Sequence, residues 1–345
     1  MSIDDIIEPG TEYEVLGTGY GFTEGPAADR EGNVYFSDGQ NNTIYFYKLG
    51  NPVSVFVNDS TDANGMMFNY KGELVVCEGA AFRIVAFNVN TKEKRVLASE
   101  FEGLRFNEPN DLTVDTSNGF YFTDPNYRHR GQDTVRKEDT YYVFADGKVS
   151  RVSTVCQKPN GILLNPDNKI LYLADNRGKV IYRYDVIGPG QLTNETRWAE
   201  LTHGPDGMTL DEHGNLYIGC GGAGVMVYSP EGKLIGTISV PYASNVVFGG
   251  RDFSTLFITS RDKFLSIKTK VKGIRPPGAD RQIRHSGVEI GLQFFIRVIR
   301  AIRSIRGYSS PRIERIARIT RIKNAPLQAS CKLIPDRADR QPASF

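Results

Sequence analysis

Along most of this chain a polar residue opens a short apolar run, and a second apolar run follows and ends in a polar turn. The opening residues are Glu24, Asn64, Asn110, Asn160, Asp206 and Asn245, at spacings of 40, 46, 50, 46 and 39. First runs such as NGMMFN (64–69), NDLTVD (110–115), NGILLN (160–165) and DGMTLD (206–211) end in Asn or Asp, residues that open turns. The second runs are GNVYFSD (32–38), GELVVCE (72–78), NGFYFTD (118–124), KILYLAD (169–175), GNLYIGC (214–220) and STLFITS (254–260). Further strand-like runs follow within a unit, as in RIVAFNV (83–89), KRVLAS (94–99) and VIYRYDV (180–186). Residues 11–273 show no convincing 3.6-residue period. A repeat of this length built from paired strands predicts an all-β fold, a six-bladed β-propeller of four-stranded blades. Its seam is expected to close by pairing the early segment 11–20 with the outer edge of the last blade near SIKTKVK (266–272), which leaves no free sheet edge.

The tail after Pro276-Pro277 differs in kind. FFIRVIRAIRSIR (294–306) and PRIERIARITRI (311–322) repeat Ile and Arg every three residues, a period that drifts around a helix and defines no narrow stripe. Residues 276–345 carry 14 Lys+Arg against 5 Asp+Glu, whereas 1–275 carry 28 against 35. The domain division is therefore a propeller over 11–273 and a basic, low-complexity extension over 274–345. The extension reads as accessory or partly disordered; a basic amphipathic segment for a membrane surface or nucleic acid is the other reading, and its partner is left open. For the propeller itself no nucleic acid is expected. MSIDDIIEPG lacks the basic and apolar regions of a signal peptide, and no run approaches a membrane span. Cys77, Cys156, Cys220 and Cys331 are far apart and read as reduced thiols, so the expected location is cytoplasmic.

The six opening residues occupy equivalent places in six repeats, and equivalent places on innermost strands converge on one axis. Four of them sit in motifs that restrain the backbone: Glu24-Gly25-Pro26, Pro109-Asn110-Asp111, Pro159-Asn160-Gly161 and Pro205-Asp206-Gly207. A single such motif is ordinarily a turn or a strand cap. Registration across repeats is what points to a central metal site. Glu24, Asn110, Asn160 and Asp206 together offer two anionic and two neutral oxygens, a set suited to one hard divalent cation, Ca²⁺ first, with Mg²⁺, Mn²⁺ or Zn²⁺ as alternatives. Asn64 and Asn245 hold the same slot and read as supporting groups.

The segments TEGPAAD (23–29), EPNDLTVD (108–115), FTDP (122–125), KPNGILLNPD (158–167), GPDGMTLDEHGNLY (204–217) and SNVVFGG (244–250) resemble, in order and spacing, the gluconolactonase, senescence-marker-protein and luciferin-regenerating-enzyme family. The resemblance covers about 11–273 and implies a six-bladed propeller with a divalent metal at the centre of one face. It implies Glu24, Asn160 and Asp206 as metal ligands and Asn110 as a contact to metal or substrate.

The residues support a matching chemistry: a lactone carbonyl at an open metal position, Asp206 as general base or nucleophile, and Asn110 orienting the substrate and stabilising the oxyanion. The long segment 124–140 is expected to overhang the pocket, with Tyr127, Arg128 and His129 as its substrate contacts. Asp124 is either a pocket acid or a turn residue before Pro125, His203 reads as a surface side chain, and His213 as structural. The expected activity is metal-dependent hydrolysis of a sugar-type lactone to an aldonic acid. The alternatives are an organophosphate or aryl-ester hydrolase on the same metal, which a negative pocket field disfavours for anionic phosphates, and a non-catalytic interaction propeller. A strictosidine-synthase-like propeller would replace the axial carboxylates.

Overall fold

The computed structural model describes residues 1–129, 134–135 and 137–276. Among these, only two short 3-10 turns (Ile3–Asp5 and Gly39–Asn41) interrupt an otherwise all-β chain. The basic repeats at 294–306 and 311–322 and Cys331 lie outside the described residues.

Four sheets have four antiparallel strands each, in simple meander order, and span 63–98, 112–153, 159–200 and 208–238. A fifth sheet has six strands, in the order Asn245–Gly249, Thr255–Lys268, Glu14–Ala28, Val34–Asp38, Thr43–Tyr47, Ser54–Val57. Its two long strands each change partner along their length. Thr255–Lys268 pairs with Asn245–Gly249 over its first half and with the start of Glu14–Ala28 over its second, whereas the end of Glu14–Ala28 pairs with Val34–Asp38. Glu14 lies opposite Ser266, so the early segment closes onto the last one as the sequence predicts. The first strands of successive repeats (Glu14–Ala28, Ala63–Phe68, Leu112–Val114, Pro159–Leu164, Met208–Leu210 and Asn245–Gly249) pack each against the next, and the last against the first.

Burial explains the composition of each strand. Second strands such as Val34–Asp38, Leu74–Glu78 and Phe120–Asp124 are buried throughout, because neighbouring sheets cover both faces. They are accordingly continuous apolar and aromatic runs rather than alternating ones. Fourth strands such as Lys94–Ala98 and Gln191–Glu200 lie outermost and are mostly exposed, which accounts for their charge. The core lies between sheets: Val225, Val227 and Ile238 pack on Val246, Ile258 and Leu265, and Ile6 from the N-terminal turn joins the same cluster. Each fully buried side chain of this size contributes roughly 1.5–3 kcal/mol.

Candidate functional site

Three of the six opening residues sit at irregularities in the sheet. Register shifts fall between Glu24 and Ala27, between Ala63 and Met66, and between Pro159 and Ile162. A bulge bends the strand and re-aims the side chain at that point, so the Gly that follows the polar residue has a structural purpose. Gly25 has φ +45°, and a Cβ there would collide with the Asn64 carbonyl oxygen. Cβ atoms at Gly65, Gly161 and Gly207 would likewise strike Asn110 and Asp111, Asp206, and Asn245 respectively. Glu24, Asn64, Asn160 and Asp206 are thus each pressed against the next around the ring. Ser244 Oγ donates to the Thr23 carbonyl oxygen at 2.9 Å and closes the circuit.

A second device sets the height of these strands. The Asp at the end of a second strand accepts the N–H groups of the segment leading into the polar slot. Asp38 takes Gly21 and Phe22, Asp124 takes Asn107 and Glu108, and Asp175 takes Gln157 and Lys158, all at 2.8–3.1 Å. Of the two roles open to Asp124, this geometry selects the structural one.

Glu24, Asn160 and Asp206 come together. The Asn160 amide hydrogen-bonds to Asp206, and Glu24 and Asp206 lie close enough to repel. Asp206 has its proton affinity raised well above the usual carboxylate value by burial first, then by Glu24 and Asp111. Glu24 is pushed up to about 7, mainly by burial, against the opposing hydrogen bond from the Gly25 N–H. Asn110 is buried at the equivalent place two strands on from Glu24, with its N–H on the Thr123 carbonyl and its own carbonyl accepting from Gly65. Two carboxylates that repel each other, Glu24 buried and Asp206 half-buried, beside an amide and with oxygen donors converging, fit a hard divalent cation.

Tyr127 descends from the 124–139 connection to this cluster, and its hydroxyl oxygen accepts a hydrogen bond from Asn160 Nδ2 at 2.8 Å. Burial, then Asp206, raises the phenol's pKa far above its ordinary value, so it stays protonated. Arg128 and His129 lie beside the cluster, Arg128 near enough for its charge to act on Glu24. They run sideways to Asp62, the guanidinium at 2.7 Å and the imidazole Nε2 at 2.5 Å. Together with Glu108, Asp62 and His129 bring ligand-type atoms within 4.8 Å of one another, a second acidic group distinct from the first. There the Arg128 guanidinium already supplies the positive charge, lying 3.6 Å from Glu108. His203 is exposed and hydrogen-bonded to Thr202 Oγ1, and His213 lies in the turn built on Asp211.

Sequence reasoning missed Asp111, Glu108 and Asp62. Asp111 is pushed up to about 7 by burial and is held by the Leu112 and Ile162 N–H groups and the Asn245 amide, which also bonds Glu24. Its signal was present: where three of the four restrained motifs carry Gly after the polar residue, this one carries Asp. Asp62, Glu108 and Lys158 each lie two residues before an opening residue. In an extended chain that spacing places side chains on one side.

Antiparallel sheets packed in a ring, with a buried oxygen-donor cluster where their first strands begin, define a β-propeller with an axial polar site. The chain belongs to the family described as SMP-30/Gluconolactonase/LRE-like region, which matches residues 22–262. It is 30% identical over 304 residues to a gluconolactonase of Zymomonas mobilis, covering 79% of this chain and 85% of that one. Among solved structures it is similar to a gluconolactonase from Xanthomonas campestris, with a TM-score of 0.72 and 25% identity over 77% of this chain and 92% of the other. It also shares its fold with a regucalcin from Agrobacterium tumefaciens, described as calcium-binding, at a TM-score of 0.67 and 19% identity over 77% and 97%.

Proposed function

We propose that this chain is a metal-dependent lactonase that opens a sugar-type lactone, such as a gluconolactone, to the aldonic acid. The observation that carries the reading is the convergence of Glu24, Asn160 and Asp206, capped by the Tyr127 hydroxyl. Membership of the family and the similarity to two gluconolactonases support the same activity. The organophosphate and aryl-ester reading has no better support. Read as two blades that share the strand Glu14–Ala28, the six-stranded sheet would bring the number of blades to six. The hydrolase unit is taken as 11–273, and removal of 276–345 is expected to leave lactonase activity intact; activity lost on truncation would overturn that division. Three described free thiols, Cys77, Cys156 and Cys220, are in keeping with a reducing, cytoplasmic location.

Glu24, Asn160 and Asp206, with Asn110, would hold one divalent cation, Ca²⁺ before Mg²⁺, Mn²⁺ or Zn²⁺ for an all-oxygen set. Bound there, it would supply Lewis acidity to the lactone carbonyl. The chain's own residues do the rest. Asp206, whose proton affinity is raised, takes a proton from the attacking water. The water oxygen bonds to the carbonyl carbon, the ring C–O bond breaks, and the proton held by Asp206 passes to the departing alkoxide. Asn110 orients the substrate and donates to the developing oxyanion. The protonated Tyr127 hydroxyl contacts substrate at the mouth, with Arg128 and His129 placed along its rim.

The deciding experiment is pH-detected hydrolysis of δ-gluconolactone by metal-stripped protein, with each of the four metals added back, alongside Asp206→Ala. Activity that returns with metal and is lost in the variant is the expected result. Metal binding without hydrolysis would move the substrate to another ester class, and neither would leave the axial residues structural.

A further inference from the structure

The segment 126–129 crosses the mouth of the site without belonging to any strand, yet its main chain is fastened as firmly as one. One oxygen of Glu108, Oε2, accepts the N–H groups of Tyr127 at 2.8 Å, Arg128 at 2.6 Å and His129 at 3.0 Å. Three successive amides converging on a single anion form a nest, an arrangement that fixes backbone direction over three residues. Asp62 holds the far end through the Arg128 and His129 side chains. Lys158 holds the near end: its Nζ donates to the Asn126 carbonyl at 3.0 Å and stands 5.0 Å from the centre of the Tyr127 ring. Asp62, Glu108 and Lys158 are the residues two positions before Asn64, Asn110 and Asn160, so three consecutive repeats present one cradle. The cradle itself is rigid. Glu108 is buried and donates its own N–H to Asp124, and the Asp62 N–H donates to Asn42 Oδ1.

The consequence falls on Tyr127. Its N–H is the first of the three captured by Glu108, and its hydroxyl accepts from Asn160 Nδ2. Asn160 Nδ2 is thus shared between Asp206 and the Tyr127 hydroxyl, and a fixed acceptor on the Tyr127 side restrains the rotation of the amide. We propose that Glu108 is a positioning residue for the lactone-opening reaction: its carboxylate pins the backbone of 127–129 and thereby sets the Tyr127 hydroxyl against Asn160 at the mouth of the site. A second cation on Asp62, Glu108 and His129 is the competing use of these groups. Glu108 Oε2 already has three donors, and the Arg128 guanidinium spans both carboxylates.

The kinetic arm of the test rests on the lactonase reading, and the other arms do not. Amide hydrogen exchange over 125–129 is compared in wild type and Glu108→Gln, with folding checked by circular dichroism. Exchange at least about tenfold faster in the variant is expected once the carboxylate acceptor is weakened. A double-mutant cycle with Tyr127→Phe then reads kcat/KM and, separately, Ca²⁺ affinity. Each single change is expected to lower kcat/KM about tenfold, and the double variant to fall no more than about twofold below the worse single one, because both act through one hydroxyl. Effects that multiply, unchanged exchange, or loss of one bound metal equivalent in Glu108→Gln would each overturn the proposal. If wild type opens no lactone, the functional reading fails alone, and exchange with the metal-affinity cycle still decides the role of Glu108. Should Glu108→Gln fail to fold, Glu108→Asp, whose shorter side chain withdraws the acceptor from the three amides, takes its place in the same cycle, with the same outcomes.

Discussion

The two ends of the first strands could hardly differ more. At their beginnings the Asn160 amide stands with the carboxylates of Glu24, Asp206 and Asp111, each of them raised in proton affinity. At their other ends Ala28, Phe68, Val114, Leu164, Leu210 and Phe248 line an apolar cavity of about 530 Å³. The strands thus carry a stability cost at one end and a stability gain at the other within a few residues. Burying a charge without a partner costs several kcal/mol, whereas burying an apolar side chain stabilises. On the proposed reading the polar groups at the expensive end of an otherwise well-packed strand serve chemistry, and substitutions at the two ends should have opposite signatures.

The largest effect is expected from Asp206→Ala. Lactonase turnover should fall on the order of a thousandfold, because on the proposed mechanism the base and a cation ligand are lost together. The metal-free variant should nevertheless melt no lower than metal-free wild type, since one of two repelling carboxylates is gone. Steady-state kinetics and calorimetry check both halves; a destabilised, active variant would erase the contrast. At the opposite end Phe248→Ala should cost about 3–5 kcal/mol of stability while leaving kcat per folded molecule unchanged, measured by denaturant titration and active-site normalisation.

A smaller effect separates the ends by pH. Glu24 and Asp111 are each raised to about 7 from ordinary values of 4.5 and 3.8. The folded state therefore binds protons more tightly than the unfolded chain, and stability falls as pH rises. The loss begins above the unfolded values, near 4, and is complete above about 7. Metal-free protein should melt several degrees lower at pH 8 than at pH 5.5, roughly the shift of one or two kcal/mol. Ca²⁺ should restore the difference, and Asp111→Asn should flatten the slope. A melting temperature that rises over this interval would show that the axial carboxylates are neutralised within the protein.

The strands and the ring of opening residues were legible in the sequence because the repeat states them many times over. The closure of residues near 14 onto those near 266 followed from the need to leave no edge. What the repeat could not show was contact between positions that break it. Asp111 departs from the Gly of its counterparts, and its meaning depends on Asn245, more than 130 residues away. Arg128 and His129 turn their side chains to Asp62, a residue whose period-two relation to Asn64 was in plain view but whose partner lies in a connection with no period. Tyr127, from the same connection, does reach Asn160.

The smallest expected effect tests whether nearness in sequence carries function at the polar end. His203 precedes Asp206 by three residues and has the chemistry of a proton shuttle. Its ring is exposed, however, and Nδ1 is hydrogen-bonded to Thr202 Oγ1 at 2.9 Å, on the solvent side of the turn into Pro205 and Asp206. A shuttle needs a short path to the reacting atoms, and the groups that surround Asp206 are Glu24, Asp111, Asn160 and the Gly207 N–H. His203→Gln should therefore change kcat/KM less than about twofold and leave the pH profile of kcat where it is. A displaced acidic or basic limb in that profile would bring His203 into the proton path and extend the chemistry beyond the axial cluster.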